Sequence, residues 1–456
     1  MKLSIRLVFL VLLISGCAPK APAPVSEPTP TKAPAATATR QGSASSLQAL
    51  EPALKGLTVR VWHPWFGTDA SLFESLVGEF NQTNPWGIQV QASGQVNYGV
   101  LYERVAAALA TGNRPELVIG LPEQARAWDA DGYVVDLTRY VSDPVYGWTP
   151  DEVRDFPGVF WLQDEAGERR LGVPFQRTAR FMLWNRSWAA ELGFVSPPDT
   201  PEDFRAQACT ATRSLSEDAV RDNDGMGGWL VDTDAMTALS WMQAFEGGAL
   251  EGNDYRFLTP NNISAFTFLR KLQEGGCAWM AAPDASPIAA FAARHALFLT
   301  ASLEQFSDVR RAFAAANNTD EWVPLAFPGE SKDALVIYGS SLVMFKSSEA
   351  AQLATWLFMK WLVTPENDAR AIQASGFFPL RASSMTLLGD YSKSHPQWQM
   401  AVDLIPAGNI QPQLASWRKV RVMLGDGFTQ MFRVSLPSGQ VPVILAQMES
   451  TSHDLK

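Results

Sequence analysis

The feature that most constrains the fold is an alternation of strand and helix signals in the first third of the chain. Strand-like runs at 57–62, 88–90 and 117–119 are separated by segments with helical spacing of apolar residues at 71–80 and 98–109. The last of these runs is wholly apolar, which is typical of a strand in the middle of a parallel sheet that is covered on both faces. Two strand–helix–strand units in succession predict an α/β domain.

A second set of elements begins near residue 171. Thr-Pro pairs at 200–201, 259–260 and 364–365 combine a cap residue with proline at the first helical position, so each pair predicts the start of a helix. No internal repeat of solenoid period is present in the sequence. The other predicted elements are strands at Phe181–Trp184, Trp322–Phe327 and Leu335–Phe345 and a strongly apolar helix at Glu349–Val363.

The first 17 residues predict export. Lys2 and Arg6 precede an unbroken apolar run, Leu7–Ile14, which is too short to cross about 30 Å of hydrocarbon as a helix. The run leads into Ser-Gly-Cys17, which resembles a bacterial lipobox, so we expect cleavage before Cys17 and acylation of its thiol. An ordinary signal peptide that happens to contain a cysteine is the alternative. Residues 18–50 are rich in Ala, Pro, Thr and Ser and predict an extended tether.

The composition excludes several classes of protein. The chain has 456 residues, of which 46% are hydrophobic, and this is enough for two or three folded domains. The formal net charge of −10 does not suit a phosphate backbone, which calls for clustered Lys and Arg, so we expect no nucleic-acid partner. Three cysteines are too few for a disulfide-built scaffold or a cysteine-rich metal site.

Two cysteines, Cys209 and Cys277, follow the export signal. Cys209 falls in the helix predicted to start at Thr200, and Cys277 follows the Gly275-Gly276 stop of another helix. Because an exported compartment is oxidising, we predict a disulfide that joins these two helices. Two buried free thiols are the alternative, since the sequence does not give the distance between the two residues.

Motifs for catalysis are mostly absent from the sequence. It has no Gly-x-Ser-x-Gly elbow, no phosphate-binding Gly-x-x-x-x-Gly-Lys-Ser/Thr loop and no His-Glu-x-x-His metal motif. The turn Asp222–Gly225 hints at a calcium loop, but Val220 stands where the first aspartate would be and no glutamate closes the pattern. A plain acidic turn is therefore favoured, and we expect neither a metal nor a cofactor.

Aromatic side chains are concentrated where predicted strands end. Residues 62–66 (Trp-His-Pro-Trp-Phe) follow the first strand, and residues 121–124 (Leu-Pro-Glu-Gln) follow the third. In open α/β sheets, ligands lie outside the carboxyl ends of the strands. Sugars present apolar C–H faces that stack on rings and hydroxyls that need amide or carboxylate partners, so rings beside Glu and Gln favour a sugar ligand. Core packing is the alternative for any single tryptophan, although less so for Trp65 in its loop.

Seven motifs, in a fixed order along the chain, carry a resemblance to a known family. They are the lipobox at Cys17, the Trp-containing loop 62–66, Asn113–Val118, Arg170–Phe175 followed by Phe181–Asn185, Ser196–Phe204, Gly339–Met344 and Gly376–Arg381. The chain resembles the solute-binding lipoproteins of ABC importers, in the cluster that includes maltose-binding and glycerol-phosphate-binding proteins. The resemblance covers nearly all of residues 1–430, and the order of the motifs is more specific than any one of them.

The resemblance implies an α/β fold with two lobes, like that of the periplasmic binding proteins, with a ligand cleft and crossing hinge strands. It implies an N-lobe made of 51–175 and 322–347 and a C-lobe made of 176–321 and 348–456. The family often has a Gly-x-Trp motif near residue 300, whereas Thr300–Leu303 offers no ring here. Carried over by matching position, the expected ligand-binding residues are Trp65, Glu123, Trp229, Thr300, Ser302, Ser340, Arg381 and Trp417.

The resulting hypothesis is a substrate-capture subunit of an ABC importer, with no enzymatic activity. We expect it to bind a small solute, a mono- or oligosaccharide, outside the cell by hinge closure and to deliver it to the permease. We also expect a monomer that is held to the membrane by a lipid anchor at Cys17. The acidic net charge disfavours glycerol phosphate. Two other hypotheses stay open: a surface-anchored carbohydrate-active enzyme that uses an Asp/Glu pair, and an interaction lipoprotein that has lost ligand binding.

Overall fold

The structure of the protein is a computed structural model that describes residues 45–433 and 436–456. The predicted signal peptide, Cys17 and the predicted tether as far as residue 44 lie outside the described residues. The tether prediction is wrong for residues 45–50, because Leu47 is buried in an apolar core and Gln48–Ala53 form a 3-10 helix. Within the described ranges, no helix combines the length and the apolar character that crossing a membrane requires.

The described residues form sixteen strands. In chain order they are β1 (Thr58–His63), β2 (Gln89–Gly94), β3 (Leu117–Gly120), β4 (Glu165–Ala166), β5 (Arg169–Arg170), β6 (Val173–Pro174), β7 (Thr178–Asn185), β8 (Gly227–Leu230), β9 (Leu250–Glu251), β10 (Asp254–Tyr255), β11 (Ala278–Trp279), β12 (Ala296–Ser302), β13 (Trp322–Leu325), β14 (Leu335–Tyr338), β15 (Ser341–Met344) and β16 (Gly408–Ile410).

The same residues form eighteen α-helices. They are α1 (Thr68–Thr83), α2 (Tyr98–Thr111), α3 (Pro122–Ala130), α4 (Thr138–Val141), α5 (Pro150–Arg154), α6 (Gly158–Trp161), α7 (Arg186–Glu191), α8 (Pro201–Ser216), α9 (Ala235–Ala244), α10 (Pro260–Glu274), α11 (Pro287–Ala292), α12 (Phe306–Ala315), α13 (Glu349–Leu362), α14 (Pro365–Ser375), α15 (Gly389–Ser394), α16 (Pro396–Asp403), α17 (Trp417–Met431) and α18 (Val441–Asp454). Short 3-10 helices cover Gln48–Ala53, Leu162–Asp164, Leu303–Gln305, Ala382–Leu387, Ile405–Ala407 and Ser438–Gln440.

Three of these helices begin at the predicted Thr-Pro pairs. The side chains of Thr200, Thr259 and Thr364 each accept a hydrogen bond from a backbone N–H in the first turn, and proline follows at the first helical position. The predicted start of α1 is wrong by three residues, because the helix begins at Thr68, directly after Gly67.

The smaller of the two main sheets has five strands in the order β2-β1-β3-β15-β6. β1 pairs in parallel with β2 and β3, as the two predicted strand–helix–strand units require, whereas β15 runs antiparallel to β3 and β6. Helix α13 packs on this sheet, since its residues Leu353, Trp356 and Phe358 share one apolar core with Val59 and Phe80. This sheet and its helices form the smaller lobe.

The larger sheet has seven strands, in the order β11-β8-β12-β7-β14-β16, with β13 also paired to β7. The pairs that involve β7 are antiparallel, and β8 pairs in parallel with β11 and β12. Alternate residues of β7 enter two different apolar cores: Met182 and Trp184 enter one, and Phe181 and Leu183 enter the other. The larger sheet is therefore covered on both faces, and it forms the centre of the larger lobe.

Two segments lie in a different lobe from the one that the family resemblance implied for them. β13 falls in the predicted N-lobe segment 322–347, but it pairs with residues 182–185 of β7 in the larger sheet. α13 falls in the predicted C-lobe segment 348–456, but its apolar face packs in the smaller lobe, where the Phe358 and Phe80 rings lie 4.8 Å apart. Local patterns predict both elements but not the sheet on which each one packs.

Two connections, β6–β7 and β14–β15, cross side by side between the sheets. The backbone N–H groups of Phe175 and Gln176 donate to the Ser340 carbonyl at 3.0 and 3.2 Å. Gly339 has a φ of +148°, and a Cβ at this position would lie 2.0 Å from the Gln176 carbonyl oxygen. Only glycine allows the two connections to approach this closely.

Cys209 and Cys277 form a disulfide in the larger lobe, with their Cα atoms 4.5 Å apart. Cys209 belongs to α8, and Cys277 lies between α10 and β11. The bond therefore joins two neighbouring layers of the same lobe and does not link one lobe to the other.

Candidate functional site

A cavity of about 440 Å³ lies between the two lobes. It is bounded by the loop after β1, the start of α1, the β6–β7 connection, the turn after β12 and α14 with the residues that follow it. The loops after β1 and β12 leave the carboxyl ends of their strands, which is where ligands bind in open α/β sheets. The lining residues are Trp65, Leu72, Phe73, Leu76, Phe175, Gln176, Glu304, Ser307, Asp308, Asp368, Ala371, Ile372, Ala374, Ser375, Phe377 and Phe378.

One wall of the cavity is aromatic and belongs to the smaller lobe. Trp65 packs against Phe73 and Phe175, with ring centroids 5.3 and 5.9 Å apart. It also stacks on His63, which is fully buried, at 5.2 Å. Burial lowers the pKa of His63 to about 4, so this ring is neutral at neutral pH. These neighbours hold the half-buried Trp65 ring in place, and its exposed surface is available for stacking on a ligand.

The facing wall carries three carboxylates, of which Glu304 lies in the turn after β12. The Thr178 hydroxyl donates to Glu304 Oε2 at 2.8 Å and so orients this carboxylate. Thr178 is the first residue of β7, directly after the lobe connection. The orientation of Glu304 therefore depends on the position of the hinge segment.

The other two carboxylates of this wall have partners of their own. Asp308 pairs with Arg311 on α12. Asp368 Oδ2 accepts hydrogen bonds from the Leu380 backbone N–H at 2.9 Å and from the Ser384 hydroxyl at 2.6 Å. Burial raises the pKa of Asp368 to about 7, so this group is only partly ionised at neutral pH. Glu304 is the carboxylate of this wall with the most freedom to bind a ligand.

Arg180 lies beside the acidic wall, since its guanidinium donates to Gln305 Oε1 at 3.3 Å. Two aspartates pair with it, Asp234 at 3.1 Å and Asp232 at 3.8 Å. Burial by itself lowers the pKa of Arg180, but Tyr338 and the two aspartates outweigh it and raise the pKa. The charge of Arg180 is therefore balanced by carboxylates of its own lobe.

A polar contact joins the lobes where α3 meets α17. The Glu123 side chain is 1% exposed and pairs with Arg421 at 3.1 Å. Gln411 donates from Nε2 to Glu123 Oε2 at 3.4 Å, and its Oε1 accepts from the Trp417 indole N–H at 2.9 Å. Glu123 of the smaller lobe is thus held by Arg421 and Gln411 of the larger lobe, and opening of the lobes would break this contact.

All eight predicted ligand-binding residues lie in the described part of the chain, and Trp65 lines the cavity. Trp229 and Trp417 are fully buried in the core of the larger lobe, and the Trp229 indole N–H donates to Thr300 Oγ1 at 3.2 Å. Ser302 is buried, and its hydroxyl donates to Gln305 Oε1 at 3.0 Å. The structure does not bring these two rings and two hydroxyls onto the cavity, because each is used in packing or local hydrogen bonds.

The remaining predicted residues, apart from Glu123, also have structural contacts. Ser340 is fully buried in the lobe connection, where its carbonyl accepts the two hydrogen bonds described above. Arg381 is buried in the smaller lobe, donates to the Val363 carbonyl at 2.6 Å and lies over the Phe156 ring at 4.3 Å. Arg381 borders a separate cavity of about 350 Å³ together with Trp148.

Sequence reasoning missed most of the cavity lining. Phe175 and Phe377 fall in the family motifs Arg170–Phe175 and Gly376–Arg381 but are not among the predicted ligand-binding residues, and Glu304 and Asp308 are in no predicted motif. The sequence does contain a signal that could have identified Glu304 as a binding residue. Glu304 follows the carboxyl end of an apolar strand, just as Trp65 does. No group of three or more His, Cys, Asp or Glu is placed to hold a metal ion in the ranges that the structure covers, which include the acidic turn Asp222–Gly225.

The sequence matches a protein family over most of its length. Residues 75–405 match the family described as bacterial extracellular solute-binding protein. The sn-glycerol-3-phosphate-binding periplasmic protein UgpB of Salmonella typhimurium is 23% identical over 375 residues, which cover 78% of this chain and 82% of that protein.

Solved structures have the same fold. The sugar-binding protein MalE of Xanthomonas citri superposes with a TM-score of 0.74 at 18% identity, covering 87% of this chain and 97% of that one. UgpB of Mycobacterium tuberculosis, in complex with glycerophosphocholine, superposes with a TM-score of 0.70 at 17% identity, covering 87% and 98%. At these identities the likeness establishes the two-lobe binding-protein fold.

Proposed function

Because the chain belongs to the bacterial extracellular solute-binding proteins, which serve ABC importers, we propose that it captures a small polyhydroxylated solute, a mono- or oligosaccharide, between its lobes. It then delivers the solute to the transmembrane subunits of the importer. The MalE relative is described as sugar-binding and the UgpB relative as binding sn-glycerol 3-phosphate. The lining of the cavity supports a sugar as the ligand of this chain.

The cavity between the lobes is the observation that carries this proposal. It combines the Trp65 ring, which suits the C–H face of a sugar, with Glu304, Gln176 and Ser307, which suit hydroxyl groups. No Lys, Arg or His is among its described lining residues, and a phosphate group is ordinarily bound by such side chains. The lining therefore favours a sugar over glycerol phosphate.

Lobe closure is the proposed mechanism of capture. The cavity is lined by Trp65 and Phe73 of the smaller lobe and by Glu304 and Asp308 of the larger lobe, so a ligand that touches both walls binds the closed form better than the open form. A ligand with equal affinity for the open and closed forms would not shift the equilibrium between them. The β6–β7 and β14–β15 connections, with Gly339 at their closest approach, are the proposed hinge.

The proposed location is the outer face of the cell membrane, where a lipid on Cys17 and the tether that follows it hold the folded body. Ser15-Gly16 before Cys17 supports this proposal, and more than one acyl chain gives stable anchoring. We propose that the body acts as a monomer without catalysis, as a binding protein does. Release of cleaved product from an oligosaccharide would instead support the carbohydrate-active enzyme that uses an Asp/Glu pair.

Calorimetry and thermal shift against a panel of saccharides, polyols, amino acids and phosphates test this function. The protein is prepared as residues 17–456 with Cys17→Ser, so that it carries neither the apolar signal Leu7–Ile14 nor an acylated thiol. One saccharide should bind at a 1:1 ratio and be recovered unchanged, and at 100 times its Kd it should stabilise the fold by about 2.7 kcal/mol.

Trp65→Ala should weaken that binding by roughly tenfold or more, because stacking and apolar burial on the ring are lost. Trp86→Ala is the matched control, since Trp86 is also a half-buried ring of the smaller lobe but does not line the cavity. Tightest binding of a phosphate ester, or no response from any compound, would contradict the proposed function.

A further inference from the structure

The charged side chains that line the cavity indicate which chemical group a bound saccharide carries. Of its sixteen lining residues, three are acids, five carry aromatic rings and none is Lys, Arg or His. We infer that the captured solute carries an ammonium group, as an amino sugar does, and that Glu304 and the Trp65 ring recognise that group. This inference rests on the proposed function, since it assumes that the cavity binds the transported solute.

An anionic solute finds no compensating charge on these walls. Helix α12 starts beside the cavity, and a helix N-terminus carries a partial positive charge that can attract anions. Asp308 lies in the first turn of α12 and offsets that partial charge. The remaining polar lining groups, such as Gln176 and Ser307, are neutral. A negative group in the cavity would therefore face three acidic side chains and no cation among the lining residues.

Glu304 is the carboxylate that fits an ammonium group. It forms no ion pair within residues 45–433 and 436–456, and the Thr178 hydroxyl occupies only one lone-pair direction of its Oε2. A carboxylate accepts about four hydrogen bonds, so Glu304 has room for an N–H donor from a ligand. Because it is half-buried beside aromatic rings, an ion pair there is screened less than one at the surface.

Two cations lie near this wall but do not line the cavity. Arg180 is paired with Asp234 and Asp232, as described above. Arg310 lines a smaller neighbouring cavity of about 110 Å³ together with Tyr391 and His395, and it is not among the residues that line the cavity described here. The two cavities share Glu304 and Ser307, but neither guanidinium is among the residues that line the cavity of the proposal.

The aromatic wall also attracts cations. The faces of aromatic rings carry negative potential, and tryptophan is the best ring for binding a cation within about 6 Å of its centroid. Trp65, Phe73 and Phe175 are mutually packed in this wall. A carboxylate on one side and a tryptophan on the other is an arrangement that favours an organic cation over a neutral molecule of the same shape.

Matched ligand pairs test this inference by calorimetry on the Cys17→Ser protein. The pairs are glucosamine with glucose, the glucosamine disaccharide with cellobiose, and choline with 3,3-dimethylbutan-1-ol. The first two pairs present the ammonium on a sugar, and the third presents it without a sugar. The ammonium member of at least one pair should bind roughly ten- to a hundredfold more tightly than its neutral partner.

Glu304→Gln should abolish that preference, so that the ammonium and neutral members of each pair bind this variant with affinities within about twofold of each other. Glutamine keeps an oxygen that accepts from Thr178, so the wall keeps its shape while the charge is lost. The matched control is Glu321→Gln, which removes an exposed carboxylate that pairs with Arg186 at 3.5 Å and does not line the cavity. The control should retain the preference in full.

The outcomes separate the inference from the proposed function. Equal or tighter binding of the neutral sugars would overturn the ammonium inference and leave a sugar-capture protein. A preference that survives Glu304→Gln would overturn the assignment to Glu304. If only choline bound, the ammonium inference would stand and the proposal that the solute is a sugar would be overturned. No binding by any member of the pairs or of the earlier panel would overturn both the inference and the proposed function.

Discussion

Two arginine–carboxylate pairs lie where the lobes meet, and they differ in how completely they are buried. Arg177 at the lobe connection and Asp164 are both 0% exposed, with the pair at 3.0 Å. Arg177 also donates to Ser341 Oγ at 3.0 Å and to the Gln176 carbonyl at 2.9 Å. In the second pair, between α17 and α3, Arg421 is 26% exposed and Glu123 is 1% exposed.

The difference shows which contacts belong to the fold and which belong to the closed state. Arg177 bonds to both crossing connections, and its carbonyl accepts from the Phe378 N–H at 2.9 Å, so it is needed whether the lobes are open or closed. The Glu123–Arg421 pair forms between lobes and separates when they open, so its two ends can be hydrated again. Loss of the first pair should therefore destabilise the fold, whereas loss of the second should mainly favour opening.

The largest effect is expected from Arg177→Met. This change leaves Asp164 buried without its cation, and breaking a buried pair by removing one partner costs about 3–5 kcal/mol. The free energy of unfolding, measured by urea denaturation, should fall by that amount.

The double variant Arg177→Met with Asp164→Leu is the control for this prediction. It removes both charges, so it should recover much of the stability that the single variant loses, even if the single variant is too unstable to purify. A single variant within about 1 kcal/mol of the original protein would contradict a structural role for the pair.

A second effect is expected at His63, a buried base that has no charged partner. Its pKa of about 4 in the folded state lies below the ordinary value of 6.5, so the unfolded chain binds a proton first as the pH falls. Above pH 6.5 the neutral His63 ring does not reduce the free energy of unfolding. As the pH falls from 6.5 towards 4, protonation of His63 in the unfolded chain lowers that free energy. Between pH 7 and pH 5 the loss should be about 2 kcal/mol.

Urea denaturation of His63→Phe at the two pH values measures this effect. The variant should lose about 2 kcal/mol less stability than the original protein over this interval, while His453→Gln, which changes an exposed histidine, should behave like the original. Asp368 titrates in the opposite sense, because its pKa is raised and it favours folding more as the pH falls. Only the difference between variants therefore reports on His63, and equal slopes would refute the prediction.

The order of strands and helices could be predicted from the sequence because local physics determines it. The Thr-Pro helix starts at 200, 259 and 364 and the apolar strand at 117–119 are all present. The sheet on which an element packs depends on contacts distant in sequence, and this is why β13 and α13 fall in the lobes opposite to those implied by the family resemblance.

The binding residues were harder to predict because the type of a side chain does not reveal its partner. Trp229 and Trp417 have the composition of stacking rings, but Thr300 and Gln411 satisfy their indole N–H groups inside the core. Glu304 reaches the cavity because it follows the carboxyl end of β12. Ligands bind at the carboxyl ends of strands, but the predictions made from strand ends alone cover only the strands near the N-terminus of the chain.

A smaller effect on folding is expected from Arg421→Gln. In this variant the Glu123 carboxylate is buried without a cation only while the lobes are closed, because water solvates the carboxylate when the lobes open. Unfolding free energy should change by less than 1 kcal/mol, whereas affinity for the saccharide found in the screen should fall roughly tenfold.

Small-angle X-ray scattering without ligand should show a larger radius of gyration for this variant than for the original protein. The double variant Glu123→Gln with Arg421→Gln should recover part of the affinity, because no buried charge is then left unpaired. If Arg421→Gln destabilised the fold as much as Arg177→Met and left affinity intact, the distinction between the two pairs would be lost.

The smallest effect should come from Arg418, one turn before Arg421 on α17. Its guanidinium lies 4.0 Å from the centroid of the Tyr102 ring on α2, so it too connects the lobes. A cation over an exposed aromatic ring contributes about 0.5–1 kcal/mol, and no buried charge is left unpaired when it is removed. Arg418→Gln should therefore weaken ligand binding only two- to fivefold, measured by the same calorimetry, and Tyr102→Leu should match it. A loss as large as that of Arg421→Gln would mean that the ring contact, and not the burial of Glu123, stabilises the closed lobes.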